Sequence, residues 1–327
     1  MGWALPKNEL TNEFLHKEVG LEKGPEWVDS RLGIYRRYSV LTPEYIVKTK
    51  NREPFQAILH ARAHHQGPVP LAIEAARLAL EQAGVKPAKV GWVVGNIDTP
   101  FETIPSLALQ VAKALGIGPG PHIDVNCACS SFARHMQLLA DIRPSALPEF
   151  TLCVQSSAYT TRTDYSAKSS DGYIFGDGAA AQVVSAKHQG RLKVEPLIFG
   201  TQAAGADEIA CDTTGHFHQN GGLVREFSIR KTCEMFETIA HQKHLYAEDV
   251  YTVAHQANFV MQNSIIGHLN LPKEKHLRNV HEQGNIAAAG CPSTIAQNLG
   301  RLHKGDKLVY AVLGAGLAWG GGYMEVQ

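Results

Sequence analysis

The chain has no excess of either charge, no apolar run long enough to cross a bilayer, and few cysteines. Its 31 Lys and Arg are balanced by 31 Asp and Glu, and no basic stripe gathers, so nucleic acid is not an expected partner. A membrane helix needs roughly 20 apolar residues in succession, and nothing in the sequence approaches this, so no membrane association is expected. The opening Met1-Gly-Trp-Ala-Leu-Pro-Lys-Asn-Glu lacks the basic-then-apolar order of a secretory signal. The six cysteines, at 127, 129, 153, 211, 233 and 291, form no CxxC pair. Cys127 and Cys129 stand too close for an ordinary structural disulfide. Reduced thiols and a cytoplasmic setting follow as the expectation. There are 16 histidines, but no HExxH or comparable ligand spacing, so no metal is expected.

What is present is length and alternation. A chain of 327 residues can bury a large core and is long enough for two domain-sized halves. Helical periodicity with a glycine stop marks Leu71–Gly84 and Leu107–Leu115, and β-branched or apolar runs mark strands at Val90–Asn96 and Phe150–Gln155. Further helices are expected at Asn12–Glu18 and Pro43–Thr49, and a glycine-led strand at Phe175–Val184. Past a polar join near Lys187–Arg191 the order begins again. Strands are expected at Leu192–Gly200, Val250–Ala254, Lys307–Leu313 and Tyr323–Val326, and helices at Glu226–His241, Asn258–Leu269 and Ser293–Leu302. This is the pattern of an α/β protein built from two similar halves, residues 1–187 and 188–327.

The stretch Asp124-Val-Asn-Cys-Ala-Cys-Ser-Ser-Phe132 reads as a strand, a tight turn and a helix, with the Cys129 thiol at the helix N-terminus. Free N–H groups and the positive end of the helix dipole favour a thiolate there, which makes Cys129 a candidate covalent catalyst. Three later pieces carry related chemistry. His255-Gln-Ala-Asn258 follows a strand, so His255 can project into a cleft. Asn285 sits in the turn Gln283-Gly-Asn-Ile-Ala-Ala-Ala-Gly290, whose small residues permit close backbone approach. Gly314-Ala315-Gly316 ends a strand and offers N–H groups to an oxyanion. Earlier in the chain, Trp27 and Arg31 are spaced to share one side of a helical turn and could hold a flat heteroaromatic ring. Each piece by itself also reads as ordinary structure.

Taken in order, these pieces resemble the thiolase-fold ketosynthases of the ketoacyl-acyl carrier protein synthase III type. The resemblance runs over nearly the whole chain. It is carried by Trp27…Arg31-Leu-Gly-Ile, Phe101…Pro105-Ser106, Asp124…Cys129…Phe132, Phe175-Gly-Asp-Gly178, Asn220-Gly221, His255-Gln-Ala-Asn258, Gly284-Asn285 and Gly314…Trp319-Gly320. It implies a thiolase fold, with two α/β halves in a five-layer αβαβα sandwich, and a homodimer. Cys129 is then the acylated nucleophile, and His255 and Asn285 donate hydrogen bonds to the enolate formed when a malonyl-type extender loses CO2. The backbone N–H groups of Cys129 and Ala315 form the oxyanion hole for acyl transfer. Trp27, Arg31, Arg162 and Asn258 are expected at coenzyme A. Ile104 is expected to reach a partner copy's acyl pocket and to limit chain length. The implied partners are an acyl-CoA, a malonyl-type thioester and an acyl carrier protein, with no resident cofactor.

The sequence also departs from the family. Ile104 is smaller than the phenylalanine common there, which admits a longer or branched acyl group. Ser130-Ser131 and Asn126-Cys127 replace small residues and are expected to add polarity beside the nucleophile. Glu226 and Val260 stand where basic residues usually meet the acidic carrier, which favours a specialised pathway over housekeeping fatty-acid synthesis. Gly2–Pro6 corresponds to the end of the family's first strand. Acyl transfer from Cys129 to a nucleophile other than an extender, a non-catalytic subunit of a heterodimer, and a papain-type Cys-His-Asn hydrolase are the alternatives; the last lacks that family's local Cys signature.

Overall fold

In the computed structural model, which describes residues 1–327, the apolar runs form two sheets with helices between and outside them. The first sheet has the strand order Gly2–Ala4, Asp177–Val184, Phe150–Ala158, Val90–Ile97, Ile123–Asp124. Val90–Ile97 lies parallel to both of its neighbours, and the two strands beyond Phe150–Ala158 run antiparallel. The second sheet runs Leu192–Thr201, Ala318–Val326, Lys307–Gly314, Val250–Ala254. It repeats the same senses, with two antiparallel pairings and then a parallel one.

Helices separate and cover the sheets. Pro68–Ala83 packs on the outer face of the first sheet, and Gly221–Lys243 on the outer face of the second, alongside Phe259–Leu269. Ser131–Asp141 and Gly290–Asn298 lie between the sheets and touch strands of both. The result is a five-layer αβαβα sandwich, the thiolase fold. Strand alternation sorts side chains into the separate cores. On Val90–Ile97, Val93 enters the core under Pro68–Ala83, while Trp92 and Val94 enter the core between the sheets. On Lys307–Gly314, Leu308, Tyr310 and Val312 face the middle, and Val309, Ala311 and Leu313 face Gly221–Lys243. Strands covered on both faces must be apolar throughout, which is why these runs showed no polar alternation.

Among the elements that differ from the sequence expectations, three matter for packing or for the site. The helix expected at Glu226–His241 spans Gly221–Lys243, so its first turn lies at the cleft described below. The last strand begins at Ala318 and carries Gly320–Gly322 within it. Those glycines serve close approach and not a turn: a Cβ at Gly320 would lie 2.6 Å from the Ala133 Cβ, and one at Gly322 would lie 2.6 Å from the Glu195 carbonyl oxygen. The helix Pro54–Ala63 was not marked by periodicity at all, because its apolar residues barely segregate to one face.

Candidate active site

Cys129 sits in a turn that its neighbours tie from every side. Ala128 takes φ 47°, in the left-handed region, which reverses the chain between Cys127 and the helix Ser131–Asp141. The Ser130 Oγ donates to the Cys127 carbonyl at 2.6 Å. The Ser131 Oγ accepts the Cys127 N–H at 2.8 Å and donates to the Ala128 carbonyl at 2.7 Å. Asn126 Oδ1 accepts the Ala128 N–H at 2.8 Å and the Asn96 amide at 3.1 Å. Both serines are fully buried. Their hydroxyls therefore brace the turn, which corrects the expectation that they add polarity beside the nucleophile.

The thiolate expectation is corrected as well. Burial, followed by the nearby Asp98 carboxylate, pushes the Cys129 thiol far above its ordinary value. Loss of solvation and a like charge thus outweigh the helix end and keep the side chain a thiol.

Gly314 packs directly on this turn. A Cβ there would lie 2.7 Å from the Cys127 carbonyl oxygen and 2.9 Å from the Cys129 nitrogen. Only glycine lets the strand end approach so closely, and the approach brings Ala315 to the cleft beside Cys129. Neither the Cys129 N–H nor the Ala315 N–H makes a hydrogen bond within the protein. Two unused donors beside a nucleophile can receive an oxyanion.

His255 follows the strand Val250–Ala254 and is buried. Its ring makes no hydrogen bond, and Nδ1 is buried without a partner. Burial lowers its pKa to about 4, so the ring is neutral near pH 7 and has a nitrogen free to exchange a hydrogen bond with a bound molecule. Asn285 is fixed by its backbone, which donates to the Ile174 carbonyl at 2.9 Å and accepts from the Gly176 N–H at 3.1 Å. Gly284 before it takes φ 69° with Arg37, Gly176 and Ile174 packed against it, so the turn requires glycine. The Asn285 Oδ1 accepts the Ala287 N–H at 2.9 Å. That bond uses the amide oxygen and leaves the NH2 group to donate. Cys129, His255 and Asn285 line one cleft of about 280 Å³, together with Ala315 and an apolar wall that includes Tyr159, Phe175 and Phe217.

The models of two families match: 3-oxoacyl-[acyl-carrier-protein] synthase III over residues 123–203, and the synthase III C-terminal region over 240–326. A β-ketoacyl-[acyl-carrier-protein] synthase III of Rubrobacter xylanophilus is 30% identical over 327 residues, 98% of this chain and 95% of the relative. The chain belongs to the ketoacyl-acyl carrier protein synthase III family. The crystal structure of 3-oxoacyl-(acyl carrier protein) synthase III from Pseudomonas aeruginosa superposes with a TM-score of 0.82 at 26% identity, covering 99% of this chain and 96% of that one. The corresponding Aquifex aeolicus structure shares the fold at TM-score 0.85 and 24% identity, covering 99% of this chain and 97% of that one. The chain is thus a thiolase-fold member of a family of condensing acyltransferases.

The other expected site residues of this synthase III relative fall in different places. Trp27 and Arg31 are exposed on the helix Pro25–Arg31, and Leu32, which ends it, lines the cleft mouth. Asn258 also lines the cleft, and its Oδ1 caps the helix Phe259–Leu269 by accepting the Met261 N–H at 2.7 Å. Ile104 is 82% exposed. Arg162 is a correction: it is 1% exposed and bonds the Pro100 carbonyl at 3.1 Å, so it does not stand on an open surface where a nucleotide could lie. Glu226 is exposed, but Arg225 one residue earlier lines the cleft, so positive charge persists at the mouth. The sequence reading missed Arg225 and Tyr159. Arg225 lies just before the expected start of its helix, and Tyr159 lies just past the end of its strand, where pattern alone assigns no direction.

Proposed function

We propose that this protein performs a decarboxylative Claisen condensation between an acyl-CoA primer and a malonyl-type thioester. The convergence of Cys129, neutral His255 and the free amide of Asn285 on one cleft carries this reading. In the first half-reaction the Cys129 sulfur attacks the acyl thioester, the oxyanion rests on the Cys129 and Ala315 N–H groups, and coenzyme A leaves as its thiol. In the second, the extender's thioester oxygen accepts hydrogen bonds from His255 and Asn285 while CO2 departs. The resulting enolate carbon attacks the acyl-Cys129 carbonyl, releasing the sulfur and a β-ketoacyl product. Neutral donors suit this step: negative charge develops on one oxygen in a dry site, where fixed donors act most strongly. The protein's own groups supply each role without a resident cofactor.

Trp27 and Arg31 at the mouth are suited to the adenine of coenzyme A, with Asn258 and Arg225 along the pantetheine path. Arg225 suits an acidic acyl carrier protein as the extender's carrier, in a fatty-acid or polyketide-like pathway. A homodimer belongs to this reading because the family resemblance implies one, with the exposed Ile104 reaching toward the second copy. The test is intact-mass detection of the acyl-enzyme, combined with release of labelled CO2. Cys129→Ala is expected to lose the acyl adduct, and His255→Ala to keep it while condensing poorly. Condensation by Cys129→Ala at the normal rate would reject the proposal, and acyl turnover without CO2 release would favour transfer to another nucleophile.

A further inference from the structure

One wall of the cleft is built of aromatic rings. Tyr159 stacks on Phe175 with centroids 4.8 Å apart and 19° between the planes, and meets Phe217 edge-on at 5.6 Å and 86°. Phe175 and Phe217 meet each other at 4.7 Å and 67°. All three line the cleft together with Cys129, and Cys129 packs against the cluster they form. An acyl group on the sulfur therefore has this wall for a neighbour.

Tyr159 is held still by its backbone. It lies in the turn just past the strand Phe150–Ala158. The Ala158 N–H donates to Thr99 Oγ1 at 2.7 Å, and the Thr160 N–H donates to Asp177 Oδ1 at 2.8 Å. The Tyr159 carbonyl accepts the Thr163 hydroxyl at 2.9 Å. The residue is only 5% exposed, yet its hydroxyl makes no hydrogen bond. The hydroxyls of Tyr165 and Tyr310 also lack partners, but those are sealed in the interior. The Tyr159 hydroxyl is not sealed, and the space beside it is the cleft. Burial holds its pKa well above the ordinary value, so it keeps its proton and can donate. A buried tyrosine hydroxyl ordinarily has a partner, and leaving it without one is costly. Phenylalanine would build the same wall for a purely apolar acyl group without that cost.

We propose that the acyl group carried by Cys129 bears a neutral oxygen, a keto or hydroxyl group, that hydrogen-bonds the Tyr159 hydroxyl. The primer is then the thioester of a short oxygenated acid, and Tyr159 is the residue that selects it. A cleft of about 280 Å³ that also admits the thioester arm keeps the acyl group short. A carboxylate does not suit this wall. Arg225 is the only side chain lining the cleft that is charged near pH 7, and it stands on the helix Gly221–Lys243, outside the aromatic cluster. This inference rests on the reading that Cys129 is acylated by a coenzyme A thioester.

The experiment compares initial rates of adduct formation, by intact mass, with butyryl-CoA, acetoacetyl-CoA, 3-hydroxybutyryl-CoA and 4-hydroxybutyryl-CoA. These acyl groups match in carbon count and differ in the oxygen. Wild-type protein is expected to favour at least one oxygenated donor over butyryl-CoA by about threefold or more, the effect of one neutral hydrogen bond. Tyr159→Phe keeps the ring and its packing and removes only the hydroxyl. In that variant the ratio is expected to fall to one or below, because the oxygen then meets only apolar groups, while the butyryl rate stays within about twofold. If Tyr159→Phe does not fold, the wild-type ratio alone still decides. A wild-type preference for butyryl-CoA over all three overturns this inference and leaves the condensation reading standing, as does a Tyr159→Phe ratio equal to wild type. Adducts from none of the four donors overturn both.

Discussion

Replacing Gly314 with alanine tests the geometry of the oxyanion hole without removing any chemical group. The new methyl would lie 2.7 Å from the Cys127 carbonyl oxygen, 2.8 Å from the Ser130 nitrogen and 2.9 Å from the Cys129 nitrogen, 0.5–0.7 Å short of the 3.4 Å at which ordinary contact begins. All three are backbone atoms, so no rotamer change relieves the clash. The strand end carrying Ala315 must separate from the turn carrying Cys129 by about half an ångström. The two N–H groups that would share the oxyanion lie on opposite sides of that gap. A misplacement of about 1 Å can cost roughly a hundredfold in rate, and loss of one oxyanion donor costs about 10²–10³. Gly314→Ala is therefore expected to slow acylation of Cys129 by roughly 10- to 100-fold, and to lower stability by about 1–3 kcal/mol through overpacking. The assay is the time course of the acyl adduct by intact mass, at a temperature where circular dichroism shows the variant folded. Acylation within about threefold of wild type would refute the argument that this contact sets the hole.

Ser131→Ala removes the acceptor of the partly buried Cys127 N–H and is expected to cost about 1–2 kcal/mol, read from urea unfolding; an unchanged midpoint would show that the turn holds without it. Stability is also expected to fall in mild acid. Burial lowers His135 and His255 to about 4 and His276 to about 3, against an ordinary value of about 6.5. A depressed histidine contributes its full share above the unfolded value and loses it as pH falls from about 6.5 toward the folded value. At pH 5 each ring is expected to lower unfolding free energy by up to about 2 kcal/mol. Urea midpoints equal at pH 7.5 and pH 5 would contradict this.

His135 shows how its neutral form is enforced. The Gln155 amide donates to Nδ1 at 2.9 Å, and Nε2 donates to the Val125 carbonyl at 2.9 Å. A proton on Nδ1 would oppose the Gln155 donor. The same ring supports the segment leading into the Cys129 turn, so acid would loosen the site along with the fold.

Local signals carried much of this molecule. The helix Leu107–Leu115 and the strand Val250–Ala254 have the limits that periodicity and β-branching imply, because a 3.6-residue or two-residue repeat is a property of neighbours along the chain. The strand, turn and helix around Cys129 were legible for the same reason, and so was the order of motifs that marks the family. The character of the site was not. Whether Cys129 is thiol or thiolate, whether His255 is neutral, and whether Ser130 and Ser131 meet the substrate or their own turn all depend on what packs around them. Arg162 illustrates the limit: an arginine one turn past a strand reads as a surface residue, and only the loop through Pro100 and the wall at Tyr159 enclose it. Burial and charge are summed over every atom nearby, most of them contributed by distant parts of the chain, so they exist only once both sheets have closed on the helices between them.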